Sequence, residues 1–404
     1  MALDPSRGRG GPRRARRAPH RPVRRWRVVG PGVATVGAVR LGVDLGQGPQ
    51  VSAAGPGGAG EDPWARVRLA EEAERLGYAV AWAAEAYGTD AVTVLSCVAA
   101  RTTRIGVGSA VLQIPARSAA MTAMTAASLD ALSGGRFHLG LGVSGPQVSE
   151  GWHGVRFDAP LRRTREHVEV VRMALRREEV RYDGRHLQLP LPDGPGRALR
   201  LSVRPLRADV PVYLAAVGPR NLELAGELAD GWLGILVTPE HLPDALAHLG
   251  AGRRRSARPD APLDVVASVA AAPSDGASVA EDDEAGRLGA LRARLALYVG
   301  GMGSREQNFY NALAVRLGYE REAALVQDLY LDRRHREAAA AVPRGLLEAT
   351  SLVGPPAAVR DRLAAYAEAG VTTLSVLPDG RDEAERVAVL RTVAEALDAS
   401  GAGS

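Results

Sequence analysis

Residues 104–143 read RIGVGSAVLQIPARSAAMTAMTAASLDALSGGRFHLGLGV, and they contain a complete strand–helix–strand unit. The β-branched run 104–112 predicts a strand, and the apolar run 119–132 predicts a helix that ends at the following Ser-Gly-Gly. Residues 136–143 predict a second strand. Because parallel strands joined by a helix are the unit of α/β folds, this stretch predicts a parallel sheet.

The same unit recurs along the chain. We predict strands at 39–45, 78–83, 104–112, 136–143, 210–216, 231–237, 263–271 and 372–377. Eight strands separated by helices predict an α/β protein with a closed (β/α)₈ TIM barrel over residues 39–400. Two stretches, 144–209 and 275–351, are too long for single connections. We expect them to be insertions at the C-terminal rim, where such barrels bind substrates.

The N-terminal segment 1–38 is rich in Arg, Gly and Pro and lacks apolar periodicity, which predicts a disordered basic extension. Residues 1–27 contribute +9 to a net charge of +5, which leaves −4 for the remainder. A nucleic-acid arm or a twin-arginine export signal at Arg24-Arg25 is an alternative interpretation. A start at Val39, where the first predicted strand begins, is favoured over both.

Composition excludes several classes of protein. The body has no basic field that would favour nucleic acid, and no apolar run approaches the roughly 20 residues of a membrane span. A single cysteine, Cys97, excludes a disulfide framework and a cysteine-based metal centre. The histidine and acid spacings contain no metal-binding motif, so we expect no metal. The composition is that of a cytosolic globular protein, and we expect a cytoplasmic enzyme with a small-molecule substrate.

Polar residues at the C-terminal ends of barrel strands are the usual catalytic candidates. Here they are Asp44, Glu85 and Gln113, with His153 just beyond the fourth strand. Each of them, taken alone, is equally compatible with a structural or solvated side chain.

The hexapeptide GLGVSG (140–145) matches the dinucleotide pattern G-x-G-x-x-G after a strand. Because Pro146 follows and no helix is expected to begin there, a dinucleotide fingerprint is not favoured. Its glycines still permit close approach of the backbone to a flat ligand.

The segment AAVGPRNLELAGELADGW (215–232) predicts a strand, a turn and a helix. Pro219 suits the first helical turn, and the free amides and dipole of that N-terminus favour a phosphate, to which Arg220 adds charge. A well-capped helix without a ligand is the alternative.

These segments, with LAEEAERLGYAVAW (69–82) and VGPPAAVRDRLAAYAEAGVTTLSVLP (353–378), resemble the luciferase-like monooxygenase superfamily, and specifically its coenzyme F420-dependent oxidoreductases. The resemblance implies a TIM barrel that binds the deazaflavin or flavin ring at its C-terminal mouth. It also implies a bulge with a non-prolyl cis peptide after the third strand. The implied cofactor-binding residues are Ser109, Ala110, Val111, Gly142, Val143, Ser144, Gly145, Ala216, Gly218, Pro219 and Arg220.

The resemblance breaks at the end of the second strand. Several deazaflavin enzymes carry an acid-His pair there, whereas this chain has Glu85 followed by Ala86. Glu85 is therefore the first candidate for an acid/base group, followed by Asp44, Gln113 and His153.

The expected function is an F420-dependent oxidoreductase that transfers a hydride between C5 of the cofactor and a small organic substrate. An FMN-dependent luciferase-like monooxygenase is one alternative, and a catalytically idle cofactor-binding barrel is another. The family commonly dimerises through barrel helices, so we expect a homodimer.

Overall fold

The computed structural model describes residues 38–46, 62–274 and 288–403. The basic extension predicted for 1–38 lies outside these residues, except for Ala38. The strands are β1 (Arg40–Asp44), β2 (Val80–Ala83), β3 (Gly106–Ser109), β4 (Leu112–Gln113), β5 (Phe137–Gly142), β6 (Tyr182–Asp183), β7 (Gln188–Leu189), β8 (Val212–Ala215), β9 (Gly231–Ile235), β10 (Asp264–Pro273), β11 (Ser351–Gly354) and β12 (Thr373–Pro378).

Eight of these strands form a closed parallel barrel in the order β1-β2-β3-β5-β8-β9-β10-β12. The ring closes where β12 pairs with β1 in the register Arg40↔Thr373. All eight strands predicted from the sequence are present, and the TIM barrel is confirmed. The short strand β4 extends the ladder beside β5, and β11 pairs with the end of β10.

Helices surround the barrel and return the chain to its N-terminal end. They are α1 (Ala65–Arg75), α2 (Ala91–Arg101), α3 (Ala119–Leu132), α4 (Pro146–Gly151), α5 (Pro160–Leu175), α6 (Pro219–Leu228), α7 (Leu242–Arg253), α8 (Gly289–Ala296), α9 (Phe309–Arg316), α10 (Glu320–Leu331), α11 (His335–Ala340), α12 (Arg344–Thr350), α13 (Pro356–Ala369) and α14 (Glu383–Ser400). None of the helices in the described ranges is long and apolar enough to cross a membrane.

The lower half of the barrel interior holds a buried polar cluster. Arg40 and Asp264 form an ion pair of 3.0 Å, and the Tyr213 hydroxyl donates to Asp264 at 2.9 Å. Burial opposes the charge of Asp264, but Arg40 and the neighbouring hydroxyls lower its pKa. The rings of Tyr213 and His138 meet edge to face at 5.5 Å. The interior is therefore a packed core and not a channel.

The first insertion departs from the sequence prediction at its start. No helix was expected after Gly145, yet α4 begins at Pro146 and runs for six residues. The prediction was wrong because proline, which lacks an amide hydrogen, is well tolerated in the first helical turn. Asp183-Gly184, a typical turn dipeptide, lies at the end of β6, and β6 and β7 pair antiparallel as a hairpin.

The second insertion is helical over its described residues and has its own apolar core. Its helices pack together through side chains such as Leu295, Val326 and Leu347. Arg316 of α9 donates to the Val217 carbonyl after β8, at 3.3 Å. Phe309 of the same helix contacts Phe157 after β5, with ring centroids 6.4 Å apart. The helical segment thus lies against loops at the C-terminal end of the barrel.

Two buried histidines predict how stability depends on pH. Burial lowers the pKa of His138 and of His167 to about 4. Between pH of about 6.5 and 4 the unfolded chain binds protons that these rings cannot bind in the native state. Stability therefore falls as the pH falls, by about 1.4 kcal/mol per pH unit for each ring.

His167 donates to or accepts from the Thr122 hydroxyl at 3.0 Å, and His167→Gln keeps a partner for it without a titrating ring. Urea unfolding at about pH 7 and about pH 5 should show that the wild type loses about 2 kcal/mol more than H167Q between the two conditions. The exposed His335→Gln is the control and should behave as the wild type. Equal losses of unfolding free energy in the wild type and H167Q would contradict the attribution of this pH dependence to His167.

Candidate active site

Three of the segments expected to bind a cofactor converge at the C-terminal mouth of the barrel. A Cβ placed on Gly142 of β5 would lie 2.6 Å from Val111 Cγ2 and 3.7 Å from the Ala215 Cβ of β8. Real Cβ atoms do not approach another carbon to 2.6 Å, so position 142 requires glycine. The loop after β3, the end of β5 and the end of β8 therefore form one continuous surface.

A bulge separates β3 from β4. Gly108 pairs with His138, and Leu112 pairs with Leu141, so four steps on one strand face three on the other. The extra residue lies within 109–111, the stretch in which the resemblance implied a bulge. The peptide bond between Ala110 and Val111 is cis, also as the resemblance implied.

Ser109 has a structural role within this bulge. Its fully buried hydroxyl accepts from the Gly140 amide and donates to the Gly140 carbonyl, both at 2.9 Å. A Cβ on Gly140 would lie 1.9 Å from the Ser109 carbonyl oxygen. The Ser109 side chain therefore fixes β3 against β5 and faces no ligand.

The inward-facing residues at this level of the barrel are small. Ala110 packs on the interior cluster of Trp82 and Tyr213, and Ala215 shares the inward face of β8 with Tyr213. With Gly142 between them and Val111 packed against Gly142, these residues form an apolar surface above the packed interior, called the floor below. A planar ring system fits such a floor, whereas branched side chains at these positions would obstruct it.

The loop after β8 leads from Ala215 into the turn that the sequence predicts to bind a phosphate. Gly218 precedes α6 in an extended conformation, and Pro219 occupies the first turn. The Ala216 carbonyl accepts from the Trp232 indole at 2.9 Å, which fixes the turn. Arg220 is exposed, and within the described residues it forms no ion pair. It lines a groove of about 480 Å³ between α5, α6 and the β6–β7 hairpin. The Asn221 and Leu222 amides donate to the Gly218 carbonyl at 3.0 and 2.9 Å, so the dipole of α6 and the Arg220 cation are what favour a phosphate here.

Glu85 lies at the end of β2 with its carboxylate almost fully engaged. Its oxygens accept from Arg117 at 3.0 and 3.3 Å, from the Gln113 amide at 3.1 Å and from the Ala91 amide at 3.4 Å. Burial opposes the charge of Arg117, but Glu85 and Asp90 raise the pKa of this guanidinium. The carboxylate of Glu85 thus accepts from four donors, so the geometry favours a role in holding the loops after β2 and β3.

Gln113 connects Glu85 to two further residues. Its side-chain Nε2 donates to the Ser144 hydroxyl at 3.1 Å, and its Oε1 lies 2.7 Å from His153 Nε2. Ser144 has a φ of +62°, which is costly for a residue with a side chain. The structure thus brings Glu85, Gln113, Ser144 and His153 into one hydrogen-bonded network.

Asp44 stands apart from this network. Its Oδ1 accepts from the Gly46 amide at 2.8 Å, and its Oδ2 accepts from the Ser268 hydroxyl of β10 at 3.4 Å. β1 and β8 lie on opposite sides of the ring of strands. Asp44 is therefore at the mouth, but it makes no hydrogen bond to the other three candidate catalytic residues.

The sequence analysis missed Arg117. It is the only basic residue between Arg104 and Arg136, in a segment otherwise made of apolar and small polar residues. An isolated cation beside a buried strand implies an acidic partner nearby. That signal could have identified it, although not the partner itself.

Comparison with known proteins gives a consistent result. The profile of the luciferase-like monooxygenase family matches residues 44–373. A protein of Mycobacterium tuberculosis named as a coenzyme F420-dependent oxidoreductase is 39% identical over 342 residues, which are 82% of this chain and 95% of that protein.

Solved structures share the fold. The coenzyme F420-dependent tetrahydromethanopterin reductase of Methanopyrus kandleri superposes with a TM-score of 0.71 at 24% identity, covering 89% of this chain and 98% of that one. A monooxygenase of Streptomyces bottropensis superposes with a TM-score of 0.63 at 21% identity, covering 89% and 99%. The match to the family profile and to the Mycobacterium tuberculosis relative shows that the chain is an oxidoreductase.

The Glu85–Arg117 pair predicts a large mutational effect. Arg117→Met leaves a carboxylate that is 8% exposed without its cation, and we expect a loss of about 3 kcal/mol in the free energy of unfolding. Glu85→Gln in the same chain should recover part of that loss, because no unpaired charge remains. Urea unfolding of the two single variants and the double variant measures this.

The control is Arg101→Met, which breaks the exposed pair with Glu71 and should cost less than about 1 kcal/mol. An R117M variant that is as stable as R101M would show that Arg117 does not hold Glu85.

Proposed function

We propose a specific activity for this chain, which belongs to the luciferase-like monooxygenase family. It is a coenzyme F420-dependent oxidoreductase that acts on a small organic substrate. The observation that carries the proposal is the floor of Ala110, Gly142 and Ala215, from which β8 leads into the turn at Gly218–Arg220. The similarity of almost the whole chain to the F420-dependent oxidoreductase of Mycobacterium tuberculosis favours the deazaflavin over a flavin.

The residues at the mouth fit such a cofactor. We assign its ring to the surface of Ser109–Val111 and Gly142–Gly145, where Ser109 contributes by fixing β3 against β5 through its hydrogen bonds to Gly140. We assign its phosphate to the turn formed by Ala216 and Gly218–Arg220. When bound, the deazaflavin supplies hydride transfer at C5 of its ring.

The protein supplies the polar groups that handle the substrate. Gln113 and His153 lie beside the residues assigned to the ring, since Gln113 pairs with Gly142 in the ladder. Asp44 offers a second carboxylate from the end of β1, the strand that pairs with β2. Glu85 accepts a hydrogen bond from the backbone amide of Gln113. This contact favours a positioning role for Glu85 over proton transfer.

The surroundings of the mouth favour a substrate with an apolar part. The chain has three Phe residues, of which Phe137 is buried in the barrel. The other two, Phe157 and Phe309, contact each other where the second insertion meets the loop after β5. Phe309 is exposed and Phe157 is half-buried, so part of this aromatic surface is available to an apolar ligand.

A homodimer in the cytoplasm completes the proposal. Helix α3 is apolar on both faces, and its outer residues Met121, Met124 and Leu132 are exposed. An apolar patch of this kind is suited to a second copy of the chain. A single cysteine suits a reducing compartment.

Cofactor choice can be measured by fluorescence titration of the full chain with oxidised F420 and, separately, with FMN. We expect preferential binding of F420, because the proposal assigns the site to the deazaflavin. Gly142→Val should weaken that binding at least about tenfold, because the added branches would fill the floor. Gly289→Val, where a Cβ meets open space, is the matched control.

Preferential binding of FMN would move the protein to the monooxygenase branch and require a reductase and oxygen. Binding of F420 without turnover of any substrate would favour the catalytically idle barrel. Binding of neither by a folded chain would overturn the proposal.

The assembly can be tested separately. Met124→Glu places a charge in the exposed apolar face of α3, and sedimentation should then show a shift from dimer to monomer. Leu325→Glu, an equally exposed position on α10, should leave the dimer intact. A wild-type chain that sediments as a monomer would exclude the homodimer.

A further inference from the structure

We propose that His153 exchanges a proton with the substrate at its Nδ1 atom, and that Gln113 is the residue that positions the His153 ring for this exchange. The inference rests on the proposed function, since it assigns the proton transfer that accompanies hydride transfer at the same site. It goes further by stating which ring nitrogen reacts and what fixes it.

The loop after α4 places His153 over Gln113. The His153 amide donates to the Val148 carbonyl at 3.1 Å, and the Ser149 hydroxyl donates to the Val155 carbonyl at 2.7 Å. The Phe157 amide donates to Glu150 at 2.9 Å. These bonds close the segment on itself, so the imidazole extends from a fixed turn and not from a free loop.

Gln113 is held through its backbone amide and through its side chain. Its backbone amide donates to Glu85 at 3.1 Å, and its Nε2 donates to the Ser144 hydroxyl at 3.1 Å. With the amide nitrogen occupied by Ser144, the carbonyl oxygen Oε1 faces His153. Gln113 is 4% exposed, so water does not compete effectively for this oxygen.

This arrangement selects one tautomer of His153. A carbonyl oxygen only accepts hydrogen bonds, so the His153 Nε2 at 2.7 Å must carry the hydrogen. In the neutral ring the lone pair is then on Nδ1, which has no hydrogen-bond partner among the described residues. The network therefore leaves one basic nitrogen free at the mouth of the barrel.

The backbone conformation of Ser144 supports a functional role for the network. Its positive φ is unusual for a residue with a side chain, and such conformations cluster at active sites. In this conformation the hydroxyl reaches Gln113. Ser144 lies in the segment assigned to the cofactor ring, so the free imidazole nitrogen belongs to the same site.

The proton transfer balances simply. As the substrate is oxidised, its C–H hydride leaves for the oxidised deazaflavin, its O–H or N–H electron pair becomes the second bond of the new C=O or C=N group, and the proton forms an N–H bond on Nδ1. In the reverse direction the imidazolium returns that proton to the heteroatom. An imidazole in this role would also compensate for Ala86, where the resemblance implies a histidine.

The first test is nitrogen-15 NMR of the full chain, labelled at histidine and free of cofactor, at a pH of about 8. His153 is assigned by the signals missing from His153→Gln. We expect the wild type to show protonated Nε2 and unprotonated Nδ1. Gln113→Leu should convert this to a mixture of tautomers, whereas Gln188→Leu, an exposed glutamine on β7, should change nothing. A mixture in the wild type, or no change in Q113L, would overturn the positioning claim.

The second test measures catalysis with oxidised F420 and 1-phenylethanol, an aromatic alcohol that suits the Phe157–Phe309 contact. H153Q should lower kcat on the order of 100-fold while the Kd for F420 stays unchanged. Q113L should lower kcat less, and Gln113→Glu, which keeps an acceptor oxygen, should recover part of it.

Unchanged kcat in H153Q would overturn the role of His153 and leave the proposed function standing. Failure of the wild type to bind F420 would instead overturn the proposed function, and the NMR result would be unaffected. The two failures are therefore distinguishable.

Discussion

Gly140 and Gly142 have no room for a side chain, and the mouth of the barrel depends on that constraint. Without a Cβ at 140, the Ser109 backbone can lie against β5, and the bulge after β3 becomes possible. The bulge turns Ala110 inward, packs Val111 on Gly142 and brings Gln113 alongside β5. A pair of glycines thus determines where the floor, the bulge and the hydrogen-bonded network lie relative to one another.

The two ends of the barrel use buried polar groups differently. At the lower end, Arg40, Asp264 and Tyr213 are satisfied within one cluster and contribute to a single packed state. At the mouth, Glu85 and Arg117 neutralise each other, but the chain of contacts continues through Gln113 to a histidine with a free ring nitrogen. A network in which every polar group has a partner stabilises the fold. A network that ends in a basic nitrogen without a partner can exchange a proton with a substrate.

The sequence predicted the barrel well because each strand is a short β-branched run followed by a periodic helix. It also placed Gln113 and His153 among the candidate residues, since both lie at or beyond strand ends. It did not reveal that Gln113 joins them to Glu85, because that contact depends on the register of β4 against β5. The pairing of Glu85 with Arg117 spans 32 residues and was equally invisible. The helix that begins at Pro146 was not predicted, because proline breaks the interior of a helix. In the first helical turn, however, proline is favourable.

The central claim is that the floor of Ala110, Gly142 and Ala215 and the turn at Gly218–Arg220 form one cofactor site. The most direct measurement is a crystal structure of the full chain grown with oxidised F420. The account predicts the deazaflavin ring on this floor and its phosphate at the amides of the turn. Ordered cofactor at any other place on the chain, or a mouth filled by side chains instead of the ring, would contradict it.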